Sequence, residues 1–238
     1  MTPSVPDLLI VVPVFDEQAS VRKVVLEWFQ EIENWTENFL FLVINDGSTD
    51  ETAKLLHRLH EKLGLRLEIL SRENKGHGQT CLEGYHLACE REIPWVLQID
   101  SDGQCDPQYF FRFWRQREIC DVIYGNRVHR DDGWRRILAS WILRFTLLGA
   151  AGVWCVDANV PYRLMRTTAI SNSVAAIPPD FFLANVGLAV LLRRGQKIRH
   201  GVVPIRFRER YGGEPSVRIS RFGFRAAELV RQLKSLGT

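Results

Sequence analysis

The sequence predicts an α/β domain with a mostly parallel central sheet flanked by helices. Three observations carry this. Short apolar, β-branched runs alternate with stretches of helical spacing. Polar, glycine-marked turns follow the strands. The 238 residues are enough for one well-buried domain and too few for two full-sized ones.

In chain order, residues 8–12 form a continuous apolar run and predict a buried strand. Val21, Val24, Val25, Trp28, Phe29 and Ile32 recur at helical spacing, so residues 21–32 predict a helix. A second strand is expected over 39–44. Asp50 can cap a helix over 51–63 that turns Ala53, Leu55, Leu56 and Leu59 inward. A third strand over 65–70 leads to a glycine loop at 74–78 and a helix ending near Glu90. Residues 95–99 predict a fourth strand, Pro107 starts a further helix, and a fifth strand begins at 121–124. The second half is less regular. It offers a very apolar helix over 134–151, a strand within 159–165, a helix over 181–194 stopped by Gly195, a strand over 198–207 whose Pro204 points to an edge or bulge, and a basic amphipathic helix over 219–236.

Composition narrows the class. Five scattered cysteines without CxxC pairing argue against a disulfide framework or a zinc site and suit a reducing cytosol. The N-terminus lacks a basic region before its apolar run, so no signal peptide is expected. The longest apolar stretch, 137–154, is interrupted by Arg144, and no transmembrane helix is expected. Net charge is +3, yet residues from Arg193 onward carry 12 Lys/Arg against 3 Asp/Glu, a local +9 that leaves −6 on the first 192 residues. A basic end on an acidic body suits phosphates or a membrane surface, and equally a solvated basic face.

In open parallel sheets, ligands bind beyond the carboxyl ends of the strands. Four successive predicted strands end in polar clusters: Pro13-Val14-Phe15-Asp16-Glu17, Asn45-Asp46-Gly47-Ser48-Thr49-Asp50, Asn74-Lys75-Gly76-His77-Gly78, and Asp100-Ser101-Asp102-Gly103-Gln104. Each has a plainer reading: Asp46-Gly47 as a turn, the glycines as a tight connection, His77 as a surface position. The sharpest is Asp100-x-Asp102, where two carboxylates flanking one residue can turn toward one hard cation, Mg²⁺ or Mn²⁺.

Together these motifs resemble inverting family-two glycosyltransferases of the GT-A (nucleotide-diphospho-sugar transferase) Rossmann-like fold. Gly125-Asn126-Arg127, Arg136 with Ser140, Asp157, and Pro204-Ile205-Arg206-Phe207 followed by Arg210 extend the likeness to the polyprenyl-phosphate branch, such as the dolichyl-phosphate mannose or glucose synthases. The match spans roughly residues 8–218. The resemblance implies that Pro13, Phe15, Glu17, Asp46, Lys75, Gly76, Asp100 and Ser101 bind the nucleotide sugar. It implies that Asp100 and Asp102, the DxD pair, hold the metal with Gln104 as a further ligand. Arg127, Arg136, Ser140 and Arg210 would hold an acceptor phosphate, and Asp157 would lie near sugar or acceptor, or pair with an arginine to shape the site. The family's glycine-serine-lysine near the end is replaced here by Gly212-Gly213-Glu214-Pro215-Ser216-Val217-Arg218.

These readings give a single catalytic domain over 1–218 and a basic C-terminal helix over 219–238. The expected reaction is transfer of a hexose from a GDP- or UDP-sugar to a polyprenyl phosphate, with Asp102, Asp157 and Asp180 as candidate catalytic residues. The alternatives are transfer to a lipid or saccharide hydroxyl with Asp180 as general base, and a non-catalytic nucleotide-sugar-binding module. Asp180 also reads as the N-cap of the helix over 181–194. A peripheral place at the cytoplasmic membrane face is expected, with the apolar helix over 134–151 either lying in the interface or packed in the core. No nucleic-acid partner is expected.

Overall fold

The computed structural model describes residues 5–129, 134–155, 157–181, 183–195, 197–212 and 222–236, with backbone alone for 129, 134–140 and 222–227. Among them seven strands form one sheet: β1 (Leu8–Val14), β2 (Phe39–Asp46), β3 (Leu67–Arg72), β4 (Trp95–Gln98), β5 (Val122–His129), β6 (Arg163–Arg166) and β7 (His200–Arg206), in spatial order β3-β2-β1-β4-β6-β5-β7. β1 pairs in parallel with β2 and β4, and β2 with β3. β6 runs antiparallel to both β4 and β5, and β5 pairs in parallel with β7. Two reversals restore the direction, so six strands point one way and β6 alone runs against them. The carboxyl ends of β1, β2, β3, β4, β5 and β7 therefore share one rim.

β1 is buried along its whole length, as a strand covered on both faces must be. The first helix, α1 (Val21–Glu33), buries the six residues whose spacing predicts it. α2 (Thr52–Leu63) buries Thr52, Leu56 and Leu59 while Ala53 is exposed, so its inner face is rotated from the predicted one. Thr52 turns inward because its hydroxyl accepts the Glu17 N–H at 2.9 Å. α3 (His77–Glu90) packs against β1, β2 and β4. A turn of 3₁₀ helix at Pro107–Tyr109 precedes α4 (Phe110–Gln116), its Asp106 cap accepting from Gln108 N–H.

Beyond β5 the chain forms α5 (Trp134–Ala151), α6 (Thr167–Ala175), α7 (Ala184–Arg194) and α8 (Phe222–Ser235). α6 has no counterpart among the elements the sequence predicts. α7 starts at Ala184 with Leu183 at the cap position, so the helix predicted from 181 is too long and Asp180 is not its N-cap. α8 packs on α5, burying Leu229 and Leu233. Phe113 of α4 stacks on Tyr162, just before β6, at 4.2 Å. The fully buried Arg163 is matched by the carbonyls of Val160 (3.0 Å) and Asn185 (3.2 Å), as a charge in a dry interior requires. The five cysteines are free.

Candidate active site

The first two loops of the rim are interlocked. Asp16 sits at φ 51°, a left-handed backbone that Asp tolerates. Its N–H donates to Ser48 Oγ (3.0 Å), and its carboxylate accepts Thr49 N–H (2.7 Å). Gln18 N–H donates to Asp50, which also accepts Thr52 N–H at 2.9 Å. This leaves Phe15 projecting, 42% exposed, at the end of β1.

Asp46, the last residue of β2, faces inward across the rim. Its carboxylate accepts the N–H groups of Lys75 (2.8 Å) and Gly76 (2.9 Å) and pairs with the Arg72 guanidinium. Asn74 Nδ2 donates to the Asp46 carbonyl at 2.8 Å. Gly47, at φ 75°, lets this loop close, because a Cβ there would lie 2.8 Å from Asn74 N. Asp46 thus anchors the 74–76 loop and leaves the Lys75 side chain exposed.

The carboxylates gather at β4 and β1. Ser101 Oγ donates to the Pro13 carbonyl at 2.9 Å, tying the two strand ends together, and both residues are buried. They act as pins inside the rim rather than as exposed contact groups. Asp100 accepts from Gln98 Nε2 (3.1 Å) and lies 2.9 Å from His77 Nε2, the first residue of α3. The Gln98 amide is itself oriented, since its Oε1 accepts from Tyr85 Oη (3.0 Å) and Asn185 Nδ2 (3.2 Å). Asp102 accepts Gln104 N–H at 2.9 Å and an Arg210 Nη1–H at 3.0 Å. Arg210 Nη2 donates to Glu17 at 2.7 Å, and Ser20 Oγ donates to the same carboxyl group at 2.5 Å.

Burial, then the neighbouring Asp100 charge, lifts the Asp102 pKa to about 6, against the opposing pull of Gln104 N–H and Arg210. Burial likewise raises Glu17, with Asp100 adding to the effect. Three carboxylates thus lie within electrostatic reach of one another at a partly dry rim, an arrangement that demands positive charge. Among the described residues no three His, Cys, Asp or Glu converge into a ready-made metal cage. The donor chemistry nevertheless fits Mg²⁺ or Mn²⁺, which are held through one or two carboxylates with the remaining positions left to water and substrate phosphates.

The other candidates fall elsewhere. Arg127, at the end of β5, makes a two-pronged pair with Asp157 at 2.6 and 2.7 Å and lies over the Phe207 ring. The arginine-pairing reading of Asp157 is the one seen. The side chains of Arg136 and Ser140, like Arg218, lie outside the described residues. Asp180 is exposed, and its carbonyl accepts from Gln232 Nε2 of α8. For Gln104, the backbone N–H is what reaches Asp102.

Several residues that hold this geometry carry no sequence signal of their own. Gln98 is the one polar residue at the end of a short apolar strand, and Glu27 reads as a solvent-facing residue of α1. Glu27 accepts from Tyr211 Oη (2.8 Å) and Arg208 Nη2 (3.0 Å). Tyr211 could have been found as the neighbour of Arg210.

The comparisons agree with this architecture. A family model described as "Glycosyl transferase family 2" matches residues 9–173. The chain is 28% identical over 199 residues to the uncharacterized glycosyltransferase YkoT of Bacillus subtilis, covering 78% of this chain and 57% of that protein. It is 26% identical to the undecaprenyl-phosphate 4-deoxy-4-formamido-L-arabinose transferase of Serratia proteamaculans (66% and 48% covered). It is 27% identical to the dodecaprenyl-phosphate galacturonate synthase of Rhizobium johnstonii (70% and 49%). The chain therefore spans about half the length of the curated relatives it matches. Among solved structures, glucosyl-3-phosphoglycerate synthase from Mycobacterium tuberculosis in complex with Mn²⁺, UDP and phosphoglyceric acid superposes with a TM-score of 0.68 at 16% identity, covering 97% of this chain and 78% of that one. Mannosyl-3-phosphoglycerate synthase from Rubrobacter xylanophilus gives 0.62 at 16% identity, with 97% and 73% covered. The fold is that of the GT-A glycosyltransferases, and with the family model matching more than half its length, the chain belongs to glycosyl transferase family 2.

Proposed function

We propose that this domain transfers a hexose from a GDP- or UDP-sugar to a polyprenyl phosphate, with inversion at the anomeric carbon. The observation that carries the reading is the concentration of Glu17, Asp100 and Asp102 on one rim, with the Arg210 guanidinium spanning Asp102 and Glu17. A bound Mg²⁺ or Mn²⁺ would supply charge to the departing nucleoside diphosphate. Asp100 and Asp102 would hold it, with Gln104 as a further ligand. Phe15 would contact the base, and Lys75 and Gly76, on the loop that Asp46 anchors, would lie along the donor. Glu17 shapes the same wall.

An acceptor phosphate is already anionic at neutral pH. Its oxygen forms the new bond to the anomeric carbon as the old bond breaks, with the electron pair leaving on the nucleoside diphosphate. No proton has to be removed, so no general base is needed; what is needed is cations that hold one anion beside another. Arg127, Arg136, Ser140 and Arg210 are the proposed acceptor groups, with Asp157 orienting Arg127. Two relatives, an undecaprenyl-phosphate 4-deoxy-4-formamido-L-arabinose transferase and a dodecaprenyl-phosphate galacturonate synthase, support this acceptor class.

The proposed catalytic domain covers 1–218, followed by a basic C-terminal segment, 219–238, whose described part, α8, packs on α5. No helix among the described residues is long and apolar enough to cross a membrane. α5 and the turn after it expose Trp141, Ile142, Phe145, Leu148 and Trp154. Rings in this patch contact one another, with Trp141–Phe145 and Phe145–Trp154 centroids 5.9 and 6.4 Å apart. Arg144 lies over Trp141. Such a surface suits peripheral contact with the cytoplasmic membrane face, where the acceptor's lipid would lie. The test is transfer of labelled hexose from GDP- and UDP-sugars into polyprenyl phosphate in vesicles. The proposal requires a lipid-extractable product that depends on both acceptor phosphate and divalent cation. Transfer only to hydroxyl acceptors would contradict it.

A further inference from the structure

Residues 206–212 form a strap across the end of β4. Arg208 N–H donates to the Gln104 carbonyl and Tyr211 N–H to the Asp102 carbonyl, each at 3.0 Å. The Tyr211 and Arg208 side chains are clamped on Glu27, and Lys23 Nζ lies 3.7 Å from the Tyr211 ring centroid. Arg210 lies between these two anchors. Its backbone is pinned on both sides, while its side chain reaches into the rim and spans Asp102 and Glu17. A guanidinium stays charged at any working pH. It thus occupies Asp102 Oδ2, one of the oxygens a divalent cation would use.

We propose that Arg210 is a built-in counter-ion that fills the carboxylate rim until a divalent cation displaces it, and that its release then frees it for the acceptor phosphate. The inference rests on the proposed metal-assisted transfer and adds an order to it: cation with donor first, acceptor phosphate second. Arg210 and the cation compete for Asp102, so the ion pair weakens cation binding. By the reciprocity of coupled equilibria, the cation makes Arg210 available and so strengthens binding of the acceptor phosphate. The strap supplies the hinge-free frame in which only the side chain has to move.

The test uses Mn²⁺ alone, titrated at pH 8 into the full chain and followed by electron paramagnetic resonance of the free ion, without donor or turnover. Arg210→Gln should bind Mn²⁺ about tenfold more tightly than wild type, within the usual range of coupling between sites. Arg210→Lys, which keeps a charge but loses the two-pronged fork, should show a smaller gain and serves if the glutamine variant does not fold. Asp102→Asn should lose the binding in either background. Asp102-dependent Mn²⁺ binding that neither Arg210 variant tightens would overturn the counter-ion role and leave the metal site standing. Absence of Mn²⁺ binding in all variants, with UDP or GDP added as well, would overturn both.

Discussion

The ring of Tyr211 lies where a side chain on Gly103 would have to be: a Cβ built at Gly103 falls 2.5 Å from Tyr211 Cδ2. Gly103 follows the acidic pair directly and adopts φ 85°, so it is closed to other residues twice, by backbone and by space. The turn that carries Asp102 and the strap that carries Arg210 are thus fitted to each other.

Gly103→Ala should push the Tyr211 ring off Glu27 and loosen the strap. The expected cost is about 1–3 kcal/mol, read as a lower melting temperature, together with reduced turnover. An unchanged melting temperature would show that the strap yields without loss.

The pH dependence follows from Asp102. Its pKa in the folded chain, about 6, lies above its ordinary value of 3.8. A carboxyl raised in this way favours the folded state most when protonated. Its contribution is complete below the unfolded value and is lost as pH rises from about 4 through 6. Cation binding needs the ionised form, so Mn²⁺ affinity should fall as pH drops below about 6, by up to about tenfold per unit. Titrations at pH 5, 6 and 7 check this, and a flat profile would contradict it.

Arg127→Ala should leave the mostly buried Asp157 without its two-pronged partner. Because Arg127 is partly exposed, the loss is discounted to about 1–3 kcal/mol. Arg127→Lys should recover little, since an ammonium cannot reproduce the fork. Thermal melts of the two variants decide the point.

Replacing Trp141, Phe145 and Trp154 together by Ala should reduce co-sedimentation with anionic phospholipid vesicles while preserving transfer to a detergent-solubilised polyprenyl phosphate. Equal sedimentation of the triple variant and wild type would remove α5 from the membrane contact.

The first half of the fold is legible where strands are continuous apolar runs, as in β1 and β2, and where helical spacing is cleanly amphipathic, as in α1. All six residues predicted for the inner face of α1 are buried. The second half resists because its elements are fixed by packing rather than by local pattern. α6 has no side-chain cap and no charged residue to mark it, and α7 begins three residues late, after a Phe181 whose carbonyl is held by Gln79 Nε2. At the site, the acidic pair and the loops around it stand out as strand-end clusters. Roles are harder to read. Nothing in the local sequence says that Asp46 is spent on the Lys75-Gly76 backbone, or that Arg210 crosses to Asp102 and Glu17. Those facts depend on which strand ends the sheet order makes neighbours.

The central claim is that the acidic pair after β4 holds a divalent cation against a nucleoside diphosphate. Calorimetric titration of UDP and GDP into wild type and Asp102→Asn, with and without Mn²⁺, tests it most directly. The account predicts that at least one nucleotide binds wild type only when Mn²⁺ is present and that Asp102→Asn loses this binding. Nucleotide binding that is indifferent to Mn²⁺, or that survives the substitution unchanged, would contradict it.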